Sequence, residues 1–215
     1  MPEQTVADDF IVREATEGDY SGVIDTLTKA FERDPVMSMA VGGSGRTETV
    51  RGLFEFQLRT LYAPQGTIDV AATSDGTILG AALWLSPEAQ KGSLLADLKK
   101  LPSYYRTLGA ALPRAVFTEL RLLASRPRFE HWYLYVIGVS ENSRGRGVGA
   151  RLLDFRCERL GETPAYLEAS THRSAALYAR HGFVELSRFR SGKPALGMLY
   201  PAPVSQASLR NRHKP

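Results

Sequence analysis

The sequence predicts a single α/β domain built on a mixed β-sheet. Three observations lead there. The chain has 215 residues, close to the roughly 100–200 that one domain holds. Hydrophobic residues make up 43% of it, enough for a packed core. Apolar periods of two and of three to four alternate along it, in the order β, α, α, β, β, helical insert, β, α, β, α, β, β.

Phe10–Ala15 reads as the first strand. Thr16 can cap a following helix, with Glu17 and Asp19 in its first turn and Val23, Leu27 and Phe31 recurring four apart. Asp34-Pro35 ends that helix, and Gly42–Gly45 is a flexible break. Thr47–Tyr62 reads as a second helix, with Val50, Leu53, Phe54, Leu58 and Leu61 on one side. Thr67–Thr73 and Thr77–Leu85 read as strands joined by the hairpin turn Ser74-Asp75-Gly76. The insert at 87–129 is helical, with a stripe of Leu94, Leu95, Leu98 and Leu101 and breaks at Pro102 and Pro113. His131–Val139, rich in aromatic and β-branched residues, reads as the central strand. A helix to Leu160, a strand at Ala165–Ala169, a short helix at Ser174–His181 and closing strands at Phe183–Phe189 and Ala195–Tyr200 follow. Residues 1–9 and 201–215 read as disordered tails on a domain spanning 10–200.

Composition narrows the function. No apolar run approaches the roughly 20 residues a membrane span needs. The polar, acidic start lacks the features of a secretory signal. The single cysteine, Cys157, allows no internal disulfide framework, which fits a reducing, cytoplasmic setting. Residues 1–85 hold 6 Lys/Arg against 13 Asp/Glu, whereas residues 86–200 hold 18 against 10. The basic second half suits a small polyanion and the acidic first half a cationic acceptor. The dispersal of the basic residues argues against a nucleic-acid surface. The four histidines and one cysteine show no metal-ligand spacing, so no metal is expected.

The segment after the central strand carries the chemistry. It runs Arg144-Gly145-Arg146-Gly147-Val148-Gly149, and a helix opens at Ala150. Glycines let the backbone approach a ligand closely, and the free N–H groups and dipole of a helix start attract anions. Together they make a pyrophosphate site. A P-loop would need a Gly-Lys-Ser/Thr ending, which is absent. A dinucleotide fold would need a βαβ run with an acidic ribose partner. A glycine-rich turn that merely caps a helix stays open on this segment alone.

A second segment adds Tyr166-Leu167-Glu168-Ala169-Ser170 and then Leu177-Tyr178-Ala179-Arg180-His181-Gly182-Phe183. With Arg-x-x-Gly-x-Gly before it, this pair of motifs resembles the GNAT superfamily of N-acetyltransferases. The motifs cover about Tyr133 to Phe183, and the element order extends the likeness over 10–200. Ala30 to Pro35, the insert and Leu167 to Ser170 are similar to the layout of puromycin N-acetyltransferase-like members. Glu141 stands where the family often has Pro, and Ser174 where relatives often have Asn.

The resemblance implies a GNAT-type domain whose mostly antiparallel central sheet is flanked by helices. It also implies acetyl-CoA as co-substrate. Ile137 and Val139 would offer backbone groups to the pantetheine arm, and one such N–H would meet the oxyanion. Arg144, Gly145, Arg146, Gly147, Val148, Gly149 and Ala150 would hold the pyrophosphate, with Ser174 beside the pantetheine. Tyr178 would stand by the sulfur. Thiols titrate at about 8.5 and tyrosine at about 10, close enough for a phenol to supply the leaving group's proton. Glu168, an acid in an otherwise apolar strand, is the candidate base or water relay, because burial raises a carboxyl toward useful values. His131 is a weaker candidate, read as a solvated strand-end group. Asp34 is the candidate acceptor contact, with a helix-terminating turn as its plain alternative. Cys157 reads as a small core residue. The expected reaction is acetylation of a small-molecule primary amine. A protein lysine or N-terminus, or acyl-CoA sensing without turnover, are the competing readings, and monomer or homodimer is left open.

Overall fold

The computed structural model describes residues 10–42, 46–91, 102–186 and 195–202. The predicted tail at 1–9, all but the first two residues of the predicted tail at 201–215, most of the glycine break at 42–45, the leucine stripe at 94–101 and the segment 187–194 lie outside the described residues. The strands are β1 (Ile11–Glu14), β2 (Gly66–Ala72), β3 (Ile78–Leu85), β4 (Trp132–Val139), β5 (Ala165–Ala169), β6 (Val184–Glu185) and β7 (Leu196–Tyr200). They form one sheet in the order β1-β2-β3-β4-β5-β7-β6. Among the described residues only β4 and β5 pair in parallel, so the sheet is mixed and mostly antiparallel, as expected.

A 3₁₀ turn at Glu17–Asp19 leads into α1 (Tyr20–Phe31). The Asp19 carboxylate accepts from the backbone and hydroxyl of Thr16 and from both terminal nitrogens of Arg13, which holds it well below the usual carboxylate range. The predicted stop at Asp34-Pro35 is also a start. Pro35 takes the first position of α2 (Pro35–Val41), and the Asp34 side chain accepts from the Met37 N–H at 2.9 Å as its N-cap. α3 (Arg46–Gln57) runs on through a π-helical turn (Leu58–Tyr62) into α4 (Ala63–Gln65). The insert holds α5 (Pro87–Lys91), a helical stretch at 102–108 (α6) and α7 (Leu112–Leu123), and α7 packs on α2. α8 (Val148–Cys157) and α9 (His172–Arg180) complete the set.

Every residue of β3 is buried, because helices cover both faces of the sheet. On one face α1 comes so close that a Cβ on Gly138 would lie 2.8 Å from Leu27. Val23, Leu27, Phe54, Leu83, Val136 and Tyr166 belong to this core. On the other face Val148 and Leu152 of α8 pack against Leu79 and Ala71. A third cluster joins Leu134, Leu153, Leu167, Tyr178 and Phe183 around β5 and α9.

Candidate functional site

Two irregularities of β4 open the site. Leu83 faces Val136 and Trp84 faces Leu134, so Tyr135 is an extra residue, a β-bulge. Tyr135 and Val136 consequently both touch the α1-side core, where regular alternation would send one to each face. The second irregularity is the short ladder to β5, confined to Trp132↔Ala165, Tyr133↔Tyr166 and Leu134↔Leu167. Beyond Leu134 the two strands diverge, and the edge of β4 from Tyr135 to Val139 borders a wedge-shaped opening. Alternate residues of a strand turn their backbone groups to opposite neighbours, so Ile137 and Val139 share one side and Gly138 takes the other.

At the end of this wedge β4 passes into the glycine loop. Gly145 and Gly147 have φ of 82° and 78°, a left-handed backbone that glycine adopts without penalty. A Cβ on either would meet nothing within 4 Å, so both face open space. Gly147 is the N-cap of α8 and supplies no side-chain bond, so the first N–H groups of the helix, at Val148, Gly149 and Ala150, are left without a side-chain cap beside that space. A Cβ on Gly149 would sit 3.5 Å from Val139 and 3.6 Å from Leu177, tying loop, strand and α9 together. Arg144 and Arg146 are exposed, and Arg146 also lines a groove of 530 Å³ shared with Lys29, Thr77 and Asn142. The open glycines, uncapped helix start and arginines fit a pyrophosphate.

Asp34, Ser170 and Tyr178 converge at the mouth of the wedge. Ser170 donates to Asp34 Oδ2 at 2.5 Å, joining the end of β5 to the start of α2. Tyr178 is buried, with its ring 5.9 Å from that of Phe183. Burial, and then the charge of Asp34, push its phenol well above the ordinary tyrosine value. Ser174 lies one turn before Tyr178, and its hydroxyl is engaged in the capping box of α9, donating to the Thr171 carbonyl at 2.9 Å.

Glu168 lies two residues before Ser170 on the same face of β5, about 7 Å away at strand rise. Its side chain is 6% exposed. Tyr133 donates to Oε2 at 2.8 Å, and Arg126 Nε stands 3.5 Å from Oε1. Burial raises the Glu168 carboxyl, while Arg126 and Tyr133 pull it back down. Glu168 is therefore both buried, as its apolar strand predicts, and held by an arginine.

One expectation changes at the start of β4. His131 is not solvated: it is 5% exposed, its Nδ1 lies 2.7 Å from the Phe129 carbonyl, and burial lowers its pKa, so it is neutral near pH 7. Trp84 is fully buried and Tyr133 nearly so, whereas Tyr105 lies exposed on the insert. Cys157 is pushed up to about 12 by burial, which fits an inert core thiol. Among the described residues no group of three or more His, Cys, Asp or Glu could hold a metal ion, and no helix is long and apolar enough to cross a membrane. Arg126, Tyr133 and Ser170 were missed as site residues by sequence reasoning. Ser170 alone carried a signal, as the last residue of the Leu-Glu-x-Ser run.

The family described as the Acetyltransferase (GNAT) domain matches residues 116–185. A solved structure from Corynebacterium glutamicum, described as histone acetyltransferase HPA2 and related acetyltransferase, is 35% identical. It superposes with a TM-score of 0.73 over 92% of this chain and 99% of its own. An uncharacterized N-acetyltransferase of Schizosaccharomyces pombe is 26% identical over 180 residues, 77% of this chain and 71% of that one. A mosquito arylalkylamine N-acetyltransferase-like protein shares the fold at 16% identity, with a TM-score of 0.58 over 88% of this chain and 98% of its own.

Proposed function

The chain belongs to the GNAT family of N-acetyltransferases and is an acyltransferase; from that premise we propose that it moves an acetyl group from acetyl-CoA to the primary amine of a small molecule by direct attack on the thioester. The observation that carries the reading is the convergence of the β4–β5 wedge, the glycine loop and Tyr178 at one end of the two central strands.

Acetyl-CoA supplies the activated acetyl group. The N–H groups at the start of α8, with Arg144 and Arg146, bind its pyrophosphate in this reading. Backbone groups at Ile137 and Val139 receive the pantetheine as an added strand and leave an N–H for the developing oxyanion. Tyr178 holds a proton where the sulfur departs. In water, transfer from a phenol at about 10 to a thiolate at about 8.5 is slightly uphill. In the wedge, burial and the Asp34 charge oppose both anions, so Tyr178 acts as a neutral donor to the thiolate as it forms. Asp34 accepts a hydrogen bond from the incoming ammonium, and Glu168 takes its proton through an intervening water.

A small acceptor is supported by the packing of insert helix α7 on α2, the helix that Asp34 caps. A second reading, acetylation of a peptide lysine, is favoured by the histone acetyltransferase description of the C. glutamicum relative. Thiol release from acetyl-CoA over a panel of free amines (aminonucleosides, polyamines, aminoglycosides) and lysine peptides separates the two. Turnover confined to free amines is the expected result. Turnover confined to peptides overturns the small-molecule reading, and stoichiometric acetyl-CoA binding with no release on any amine overturns catalysis.

A further inference from the structure

We propose that Arg126 is a positioning residue for Glu168: from the end of the insert it orients the carboxylate through Tyr133 and keeps it charged, so that insert and base act as one unit. The inference rests on Glu168 being the base.

The geometry is a chain of three side chains. Arg126 follows α7, and its side chain is 14% exposed. Its Nη2 donates to the Tyr133 hydroxyl at 2.8 Å and to Glu119 Oε1 at 2.8 Å, and its Cζ lies 3.9 Å from the centre of the Tyr133 ring. Tyr133 in turn donates to Glu168 Oε2 at 2.8 Å. The phenol is thus locked between a cation and a carboxylate, and its direction of donation is fixed. Tyr133 stacks on Tyr166, 6.4 Å between ring centres, which limits its own movement.

Two buried atoms in this chain have no hydrogen-bond partner, Arg126 Nε and Glu168 Oε1, and they face each other at 3.5 Å. A buried carboxylate oxygen without a hydrogen bond costs free energy until a donor such as a water occupies it. With Oε2 held by Tyr133, Oε1 is the oxygen left to accept the amine's proton, directly or from a water. The neighbouring guanidinium favours the anion, against the burial that disfavours it.

The groups facing Glu168 are Arg126 and Glu119 from the insert, Tyr133 from β4 and Tyr166 from its own strand; Tyr62 and His131 face Arg126 from behind. Their signs give opposed predictions. Removing the Arg126 charge raises the Glu168 titration midpoint, as does removing the Tyr133 hydroxyl. Removing the half-exposed Glu119 charge lowers it.

The test uses the full chain labelled with ¹³C at the glutamate carboxyls and titrated by NMR, with Glu168→Gln assigning the resonance. Arg126→Gln is expected to raise the midpoint by about one to three pH units, the usual effect of an opposite charge at this range. Arg126→Lys is expected to stay nearer the wild type. If Arg126→Gln does not fold, Tyr133→Phe moving up and Glu119→Gln moving down decide the matter. Midpoints that stay in place in these variants overturn the proposal. Thiol release by Glu168→Gln is read separately: full activity with an unchanged pH profile removes Glu168 as the base, whatever the titrations show.

Discussion

Burial keeps the Tyr178 phenol protonated near neutral pH, and that fixes what its loss should do. Burial and Asp34 both oppose the phenolate, so no ionisation of Tyr178 should shape the pH–rate profile near neutrality. In the proposed reading the glycine loop holds the pyrophosphate, so the Tyr178 hydroxyl is not expected to contribute to it. Tyr178→Phe removes one oxygen and leaves the ring against Phe183. The expected result is a fall in kcat of about 10²- to 10⁴-fold, the usual worth of general acid help, with acetyl-CoA affinity within a factor of about two. Calorimetric titration with acetyl-CoA and steady-state thiol release measure the two quantities. Near-normal turnover removes Tyr178 as the acid. Ser170 and Asp34 lie beside it, so the same two measurements on Asp34→Asn separate acceptor recognition, read in KM, from proton delivery, read in kcat.

At the scale of elements, the glycine loop makes the sharpest prediction. Gly147 sits at φ 78° as the N-cap of α8, and a Cβ there meets nothing within 4 Å. Gly147→Ala therefore costs only the left-handed backbone strain, about 1–2 kcal/mol of stability. The same Cβ would stand in the space read as the pyrophosphate site, so acetyl-CoA affinity should fall by more than tenfold. A melting curve and a binding isotherm on the variant compare the two, and intact affinity would move the ligand off this loop. This loop was legible because its signal is local: glycines between a strand and a helix. The Ser74-Asp75-Gly76 hairpin was legible for the same reason. α2 was not, because Asp34-Pro35 serves one helix as a stop and the next as a cap, and a linear reading assigns it once. The bulge at Tyr135 depends on register against β3, which β4 alone does not encode. Arg126 meets Glu168 only through tertiary packing of the insert, so no spacing announced it.

For the whole molecule, the question is what binds the layer behind the sheet to the sheet itself. Arg156 of α8 reaches through to Asp69 of β2, 2.9 Å from Nε to Oδ2, and to Glu14 of β1 at 3.0 Å. Asp69 is fully buried and Arg156 is 4% exposed. A pair this deep gains much of its attraction back only to offset desolvation, so its net worth against an apolar pair is small. Breaking it is another matter, because the surviving charge is stranded in the core. Asp69→Ala should therefore cost about 3–5 kcal/mol, and in a domain of this size each kcal/mol lowers the Tm by about 2–4 °C. Replacing both partners, Asp69→Leu with Arg156→Met, should recover most of that loss. Thermal unfolding of the single and double variants checks this. α8 also carries the glycine loop at its start, so the single variant should weaken acetyl-CoA binding while the double variant restores it together with stability. If stability recovers and binding does not, the ion pair sets the angle of α8 rather than merely anchoring it.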